Sequence, residues 1–272
     1  MSYRPIKHLP SIRKIPDELW DEIKLLLPPE KTNNTTGRPI VPFRKVLDGI
    51  LYVLRTGCQW KMLPKEYGSG STCHRRFQQW TLTKVFQRLW NRLLQVYDDV
   101  KGIGWKWQSL DSVSIKAPLG GDLTDPNPTD RSKSGTKRHV LTDQHGIPVS
   151  VVITPANTHD MKAAKDTLDS VITQRPLKKQ NLCLDKGYDY LEIEIESIKR
   201  KYIPHIRHRG ENKELIKHGK YYPKRRWVVE RTNSWHNRFR KLLVRYEKKS
   251  ENYLALVSLA CCIIIYRRIV LG

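Results

Sequence analysis

The sequence predicts an α/β (α+β) protein: a mixed sheet with flanking helices, preceded by a small all-helical domain. Three observations predict it. Up to residue 100 apolar residues recur at helical spacing. Beyond residue 105 they alternate with period two. Strand and helix patterns then alternate along the chain, the arrangement of a sheet covered by helices. The change falls at YDDVKGIGWKW, which separates a helical domain over 1–100 from a second domain over 101–272.

Ile15-Pro-Asp-Glu-Leu-Trp20 opens the first helix, with proline near its start and acids in its first turn, and Pro28-Pro29 stops it. The polar run EKTNNTTGRP is a loop. Phe43 to Arg55 places Phe43, Val46, Leu47, Ile50, Leu51 and Leu54 on one helical stripe. The turn TGCQWKMLPKEYGSG leads into Ser71, read as the cap of a helix running through Trp80, and another helix continues to about Tyr97. Short helices ending in a basic, polar one resemble a helix-turn-helix. His74, Arg75, Arg76, Gln78 and Gln79 carry side chains suited to base edges and phosphates. A small bundle with a solvated basic face is the competing reading.

Trp107–Ala117 reads as a strand, with Leu110, Val113 and Ile115 among polar residues. A loop follows from Pro118 to Ser134. Thr136–Thr142 and Ile147–Thr154 flank Asp143-Gln-His-Gly146, a hairpin signal. Asp160–Ile172 reads as a helix, and Asn181–Leu184 as a short strand ending at Asp185-Lys-Gly187. Tyr188–Arg200 then reads as a helix, Lys201–Ile206 as a strand and Trp227–Leu243 as a long helix. The most apolar segment, Tyr253–Ile265, is about 13 residues against the ~20 of a membrane helix, and reads as a buried C-terminal helix.

The chain has 272 residues, with 50 Lys+Arg against 27 Asp+Glu and a net charge of +23. A hydrophobic fraction of 39% with 8 Trp and 12 Tyr excludes a disordered chain, and 16 Pro and 15 Gly exclude collagen-like and linker-like ones. The charge is unevenly placed. Residues 1–100 hold 17 basic and 9 acidic residues, 101–199 hold 14 and 13, and 200–272 hold 19 and 5. Two basic arms around a near-neutral middle gather a polyanion, and nucleic acid is the usual one. The five cysteines, Cys58, Cys73, Cys183, Cys261 and Cys262, form no CxxC pair and are odd in number. They read as reduced, mostly buried thiols of a cytosolic protein, without a zinc site. The N-terminal MSYRPIKHLPSIRK lacks the apolar core of a secretory signal.

Three acids fall at telling places: Asp111 inside the first strand, Asp185 just after the fourth, and Glu230 in the helix Arg226-Trp-Val-Val-Glu-Arg-Thr. A carboxylate within an apolar strand costs several kcal/mol unless it is paired or bound to a metal. Oxygen ligands suit Mg²⁺, and two such ions support phosphodiester displacement. Each acid also has a plainer reading: an ion pair for Asp111, a turn residue for Asp185 and a salt bridge to Arg226 for Glu230.

The segments SLDSVSIKAP, KSGTKRHVLTDQHGIPVSVVITPANTHD, LDKGYD and RRWVVERTNSWHNRFRKLLVRYE stand in order. Together they resemble insertion-sequence transposases of the DDE type, in the group of families four and five. GRPIVPFRKVLDGILYVLRTGCQWKMLPKEYGSGSTCHRRFQQW is similar to the N-terminal domain of the family-five members, so the resemblance covers roughly residues 15–270. It implies an RNase H-like catalytic domain with Asp111, Asp185 and Glu230 as catalytic residues and metal ligands. It further implies two Mg²⁺ ions, replaceable by Mn²⁺, and cleavage at terminal inverted repeats with joining of the 3′ ends to target DNA. The family-four signature Tyr-x2-Arg-x3-Glu-x6-Lys is kept at Arg226 and Glu230. Pro223 stands at its Tyr position, beside Tyr222, and Asn237 at its Lys position, near Arg238 and Arg240.

Further candidates surround these acids. Lys186 is read as a phosphate contact or a solvated lysine. Lys137, Arg138 and His139 lie on one strand, where at most two share a face, and are read as tracking DNA or as a surface strand. Asp160 reads as a helix cap and His159 as a candidate support for the acids. Arg226, Arg231, Arg238, Arg240 and Lys241 crowd one helix and are read as phosphate contacts. Trp227 and Trp235 read as core, and Glu192, Glu194 and Glu196 as a solvated face. The expected partners are double-stranded DNA and a second copy of the chain, in a bacterial cytoplasm at the nucleoid. The alternatives are a catalytically inactive DNA-binding regulator derived from a transposase, and a nuclease without strand transfer.

Overall fold

The computed structural model describes residues 14–30, 40–206 and 225–271. Helix α1 (Asp17–Lys24) has Asp17 and Glu18 in its first turn and Lys24 in its last, charges that complement the helix dipole. Helix α2 (Phe43–Thr56) buries the stripe from Phe43 to Leu54 and ends at Gly57 with φ +72°, a left-handed cap. Two 3₁₀ turns, Trp60–Met62 and Lys65–Tyr67, lead to α3 (Gly70–Leu82). Its cap is Ser69, two residues before the expected Ser71; the Ser69 hydroxyl accepts from the Thr72 amide at 3.1 Å. Helix α4 (Val85–Lys101) completes the N-terminal helical region.

Six strands form one mixed sheet: β1 (Trp107–Lys116), β2 (Asp125–Asn127), β3 (Lys133–Thr142), β4 (Pro148–Pro155), β5 (Gln180–Leu184) and β6 (Tyr202–Ile206). The order is β4-β3-β1-β5-β6, with β2 beside the start of β3. β3 runs antiparallel to β1 and β4, while β5 and β6 run parallel to β1. This is an RNase H-like sheet. The short β2 lies inside the stretch read as a loop. Asp-Pro-Asn has no strand preference of its own, and only pairing with Lys133–Gly135 orders it.

Helices α5 (Asp160–Asp169) and α6 (Leu191–Lys199) follow β4 and β5. Helices α7 (Trp227–Asn237) and α8 (Ser250–Leu271) close the chain. Ser112 and Lys137 bond to the first residue of α5, whereas Arg138, of opposite strand parity, reaches Asn233 of α7. The two helices therefore lie on opposite faces of the sheet.

The long helix expected over Trp227–Leu243 stops at Asn237, followed by a 3₁₀ turn at Arg240–Leu242. The cause is tertiary. Arg245 is fully buried and donates to the carbonyls of Asp122, Leu123, Glu247 and Lys248 and to the Thr136 hydroxyl. Val244 bridges to Lys116 at the end of β1. A continuous helix would carry both away from these partners.

Helix α8 buries Tyr253 and the run from Ala255 to Ile265. By length and composition it could cross a membrane, with a mean hydropathy of 1.9, but 72% of that window is buried within the protein. It packs on α4 and β4, and one apolar core extends from Ile15 through α2, α4 and α8 to the strands. Among the five free cysteines Cys58 is half-buried and the others are buried. Burial pushes the Cys73 thiol up to about 11 and raises Cys261 and Cys262 as well.

Candidate active site

Parallel pairing sets the first two acids side by side. Ser109 pairs with Cys183, so two residues further along Asp111 of β1 stands beside Asp185, the residue after β5. Glu230 comes from the first turn of α7. That helix is held at several points. The Ser109 hydroxyl donates to Arg225 O at 3.1 Å, Thr232 Oγ1 donates to Gly146 O at 2.6 Å, and Arg231 Nη2 donates to His145 O at 2.6 Å.

Arg226 lies between two of the acids. Its Nε is 2.9 Å from Glu230 Oε1 and its Nη1 4.0 Å from Asp185 Oδ2. Burial pushes the Asp111 carboxyl up to about 6, and the charges of Asp185 and Glu230 push the same way; the Ser112 amide at 2.8 Å and Arg226 oppose them. Three carboxylates thus share one electrostatic neighbourhood around a guanidinium. Among the described residues no three potential ligand side chains are grouped to hold one metal ion in this arrangement.

The surroundings are polar and ordered. Asp185 Oδ1 accepts from the Gly187 amide at 2.8 Å and caps a 3₁₀ turn at Lys186–Tyr188, leaving Lys186 exposed. The Tyr188 ring is fully buried, its hydroxyl has no hydrogen-bond partner, and burial followed by Asp160, Asp111 and Asp185 raises its pKa.

Asp160 is the residue that sequence reading undervalues. The cap of α5 is His159, whose Nδ1 accepts from the Met161 amide at 3.4 Å. Asp160 Oδ1 instead accepts from Ser112 Oγ at 2.9 Å and Lys137 Nζ at 3.0 Å. A Cβ on Gly187 would lie 2.9 Å from Asp185 Oδ1 and 3.5 Å from Asp160 Oδ2, so a fourth carboxylate borders the same turn. Nothing local distinguishes this acid from a cap; the signal is its register-dependent reach to Ser112.

The expected DNA contacts divide. In α3, Arg75 and Gln79 are exposed and Gln78 is half-buried. Arg76 lies 5.1 Å over the Phe43 ring and donates to Gln79 at 2.9 Å, and His74 stacks on Trp60 at 5.0 Å. Arg138 corrects the sequence reading. It is fully buried, because its parity points it at α7, with Asn233 Oδ1 at 3.5 Å. His139, also buried, pairs with Thr154 Oγ1 at 2.8 Å. Lys137 is half-buried and engaged by Asp160 and by Thr158 O at 2.7 Å. Lys241 is likewise withdrawn, in a buried pair with Glu247 at 3.0 Å that the 3₁₀ turn makes possible.

Arg238 and Arg240 are exposed, and Arg231 stacks on Trp227 and Trp235 at 4.7 and 4.9 Å. Trp227 is 54% exposed, contrary to its reading as core. Glu196 is paired rather than simply solvated, with Lys199 at 2.7 Å and Arg200 at 2.6 Å. Tyr222 and Pro223 lie outside the described residues.

Comparison with known proteins gives these features a lineage. Residues 15–90 match a family described as "Putative transposase of IS4/5 family", and residues 108–265 match "Transposase DDE domain". The chain is 33% identical over 155 residues to "Putative transposase for insertion sequence element IS402" of Burkholderia cepacia, covering 53% of this chain and 69% of that one. The chain belongs to the DDE transposase family of insertion sequences.

A second relative of this transposase, "Insertion element IS402 uncharacterized 16.2 kDa protein" of the same organism, is 41% identical over 118 residues, covering 42% of this chain and 80% of that one. A solved piggyBac transposase synaptic complex with hairpin DNA aligns with 95% of this chain and 74% of its own at 12% identity and a TM-score of 0.42.

The transposase is thus an enzyme acting on DNA, in a family that generally uses a divalent metal. The donor chemistry of its carboxylates suits such an ion, although the three are not grouped around one position in this arrangement. Asp111, Asp185 and Glu230 are hard oxygen donors; burial chiefly raises Asp111, and the added repulsion from Asp185 and Glu230 is what a divalent cation would relieve.

Proposed function

We propose that this transposase binds the terminal inverted repeats of its insertion sequence, cleaves the DNA ends and joins the 3′ ends to target DNA. The supporting observation is the electrostatic neighbourhood that Asp111, Asp185 and Glu230 share with Arg226, brought there by two adjacent strands and a pinned helix. The three carboxylates would hold Mg²⁺, two ions in all, or Mn²⁺ in its place. The metal supplies charge stabilisation for phosphodiester hydrolysis and then transesterification by a DNA 3′-hydroxyl.

The protein's own groups do the rest. Arg226, already between Asp185 and Glu230, offers a guanidinium to the scissile phosphate. Lys186, exposed beside Asp185, offers a second cation. Arg75, Arg76, Gln78 and Gln79 of α3, with His74 beside them, contact the element end. Arg231, Arg238 and Arg240 contact the backbone near the acids. Joining two ends requires two active sites, so the DNA-bound form is a dimer or larger. The protein works in the bacterial cytoplasm at the nucleoid.

Asp111→Asn tests the reading. With a terminal-repeat duplex in Mg²⁺, cleaved and joined products are expected from the wild type and none from the variant. Full activity in the variant would defeat the assignment. A wild type that binds the duplex and leaves it intact would identify a DNA-binding regulator instead, and cleavage without joining a nuclease.

A further inference from the structure

Several arginines of the described chain are engaged by acids or carbonyls. Arg92 pairs with Glu22 at 2.8 Å, Arg200 with Asp169 and Glu196, and Arg226 with Glu230, while Arg245 is enclosed by carbonyls. A second set is marked by stacking on aromatic rings, and its Arg231 also donates to His145 O. Arg231 and Arg268 both lie over the Trp235 ring, 4.9 and 4.7 Å from its centroid. Arg55 lies over Phe239 at 5.6 Å. The end of α2 abuts the start of the 3₁₀ turn, where a Cβ on Gly57 would sit 3.3 Å from Arg240.

These cations come from α2, α7 and α8, segments far apart in sequence, so this is no local charge run. Among the described residues Arg238, Arg267 and Arg268 have no carboxylate partner. The charges also feel one another. Burial first, and then a neighbouring arginine, pushes each of three side chains below the ordinary arginine value: Arg267 acts on Arg55, Arg268 on Arg231, and Arg238 on Arg267. Aromatic rings hold like charges together at a cost that an anion would remove.

We infer that Arg55, Arg231, Arg238, Arg267 and Arg268 form one phosphate-binding track for duplex DNA. It leads from the end of α2, in the N-terminal helical region, to α7 beside Glu230. The inference rests on the proposed function, since it takes DNA as the substrate, and adds the surface that carries the duplex to the acids. Arg55, Arg267 and Arg268 are new to that surface. A guanidinium stacked on a ring, as Arg268 is on Trp235, suits a polyanion because its in-plane N–H groups can still bind phosphate oxygens.

The salt dependence of binding tests it. The probe is a random-sequence duplex of about 40 base pairs, followed by fluorescence anisotropy, so no knowledge of the terminal repeat is needed. The Arg267→Gln/Arg268→Gln double variant is expected to flatten the slope of log affinity against log salt by about 1.8, near 0.9 per lost phosphate contact. The control is Lys178→Gln/Lys179→Gln, which removes the same charge from exposed positions before β5, at the end of that strand away from Asp185. It should keep the wild-type slope.

Should the double variant lose its circular-dichroism melt, Arg238→Gln decides: this exposed residue is expected to flatten the slope by about 0.9. Wild-type slopes in folded track variants, or equal flattening in the control, overturn the track alone. A wild type that binds no duplex overturns the proposed function and the track together.

Discussion

Asp111 carries opposing demands. Burial, together with Asp185 and Glu230, favours its neutral form and places its pKa at about 6, against the ordinary 3.8. The folded state therefore holds a proton that the unfolded chain releases. The contribution of Asp111 to stability falls as pH rises from near 4 through 6 and levels off above that. Asp111→Asn keeps an acceptor for the Ser112 amide and removes the buried charge. The variant should be more stable than wild type at pH 7 by about 1–3 kcal/mol and no more stable at pH 4, measured by urea denaturation. A variant less stable at pH 7 would show that attraction to Arg226 outweighs burial. The same balance predicts that Mg²⁺ raises the wild-type melting temperature at pH 7, less so at pH 5, where protons compete for the carboxylate. Tyr188 offers a cleaner case. Its buried hydroxyl has no partner, so Tyr188→Phe should leave the melting temperature unchanged or raise it.

The position of Glu230 depends on how α7 is seated, and Gly146 governs that seat. It has φ +82°, and a Cβ there would lie 2.9 Å from Thr232 Oγ1 and 3.0 Å from Arg231 Nη2. Gly102 has a similar φ of +78° with nothing near its missing Cβ. Gly146→Ala should lose about 1–3 kcal/mol by denaturation, more than Gly102→Ala, since backbone strain is shared and only the first pushes α7. Equal losses would mean that α7 yields freely. The hairpin itself was legible, because Asp143-Gln-His-Gly146 sits between two β-rich runs; so were the stripe of α2 and the alternation in β1. What was not legible depended on distant partners. β2 has no strand chemistry of its own, and α7 ends early because Arg245 must reach the carbonyls of Asp122 and Leu123. The three acids could be singled out because carboxylates beside apolar strands are conspicuous, and the resemblance ordered them. Arg226 as a bridge and Asp160 as a neighbour could not, because each is defined by what the sheet brings beside it. Arg138 was misread because alternation tells which residues share a face, not which face is covered.

Residues 1–100 and 101–272 differ in pattern, yet the structure joins them through one interior. Helix α8 packs along α4, and the Trp90 indole donates to Pro148 O at 3.0 Å. A chain carrying +23 repels itself, and an interior shared between its two parts resists that repulsion. If the two parts were independent, Cys73 of α3 and Cys183 of β5 would become exposed at different denaturant concentrations. A shared core requires them to open together, along with Cys261 of α8. All three thiols are buried, and burial raises their pKa values, so in the native state they should react slowly with a thiol reagent. Half-buried Cys58 should react earlier and report on the reagent. Peptide mapping across a urea series is expected to give one midpoint for Cys73, Cys183 and Cys261. Separate midpoints, with Cys73 apart from the other two, would show that the helical region unfolds by itself, and that α8 rests on α4 without binding the halves into one cooperative unit.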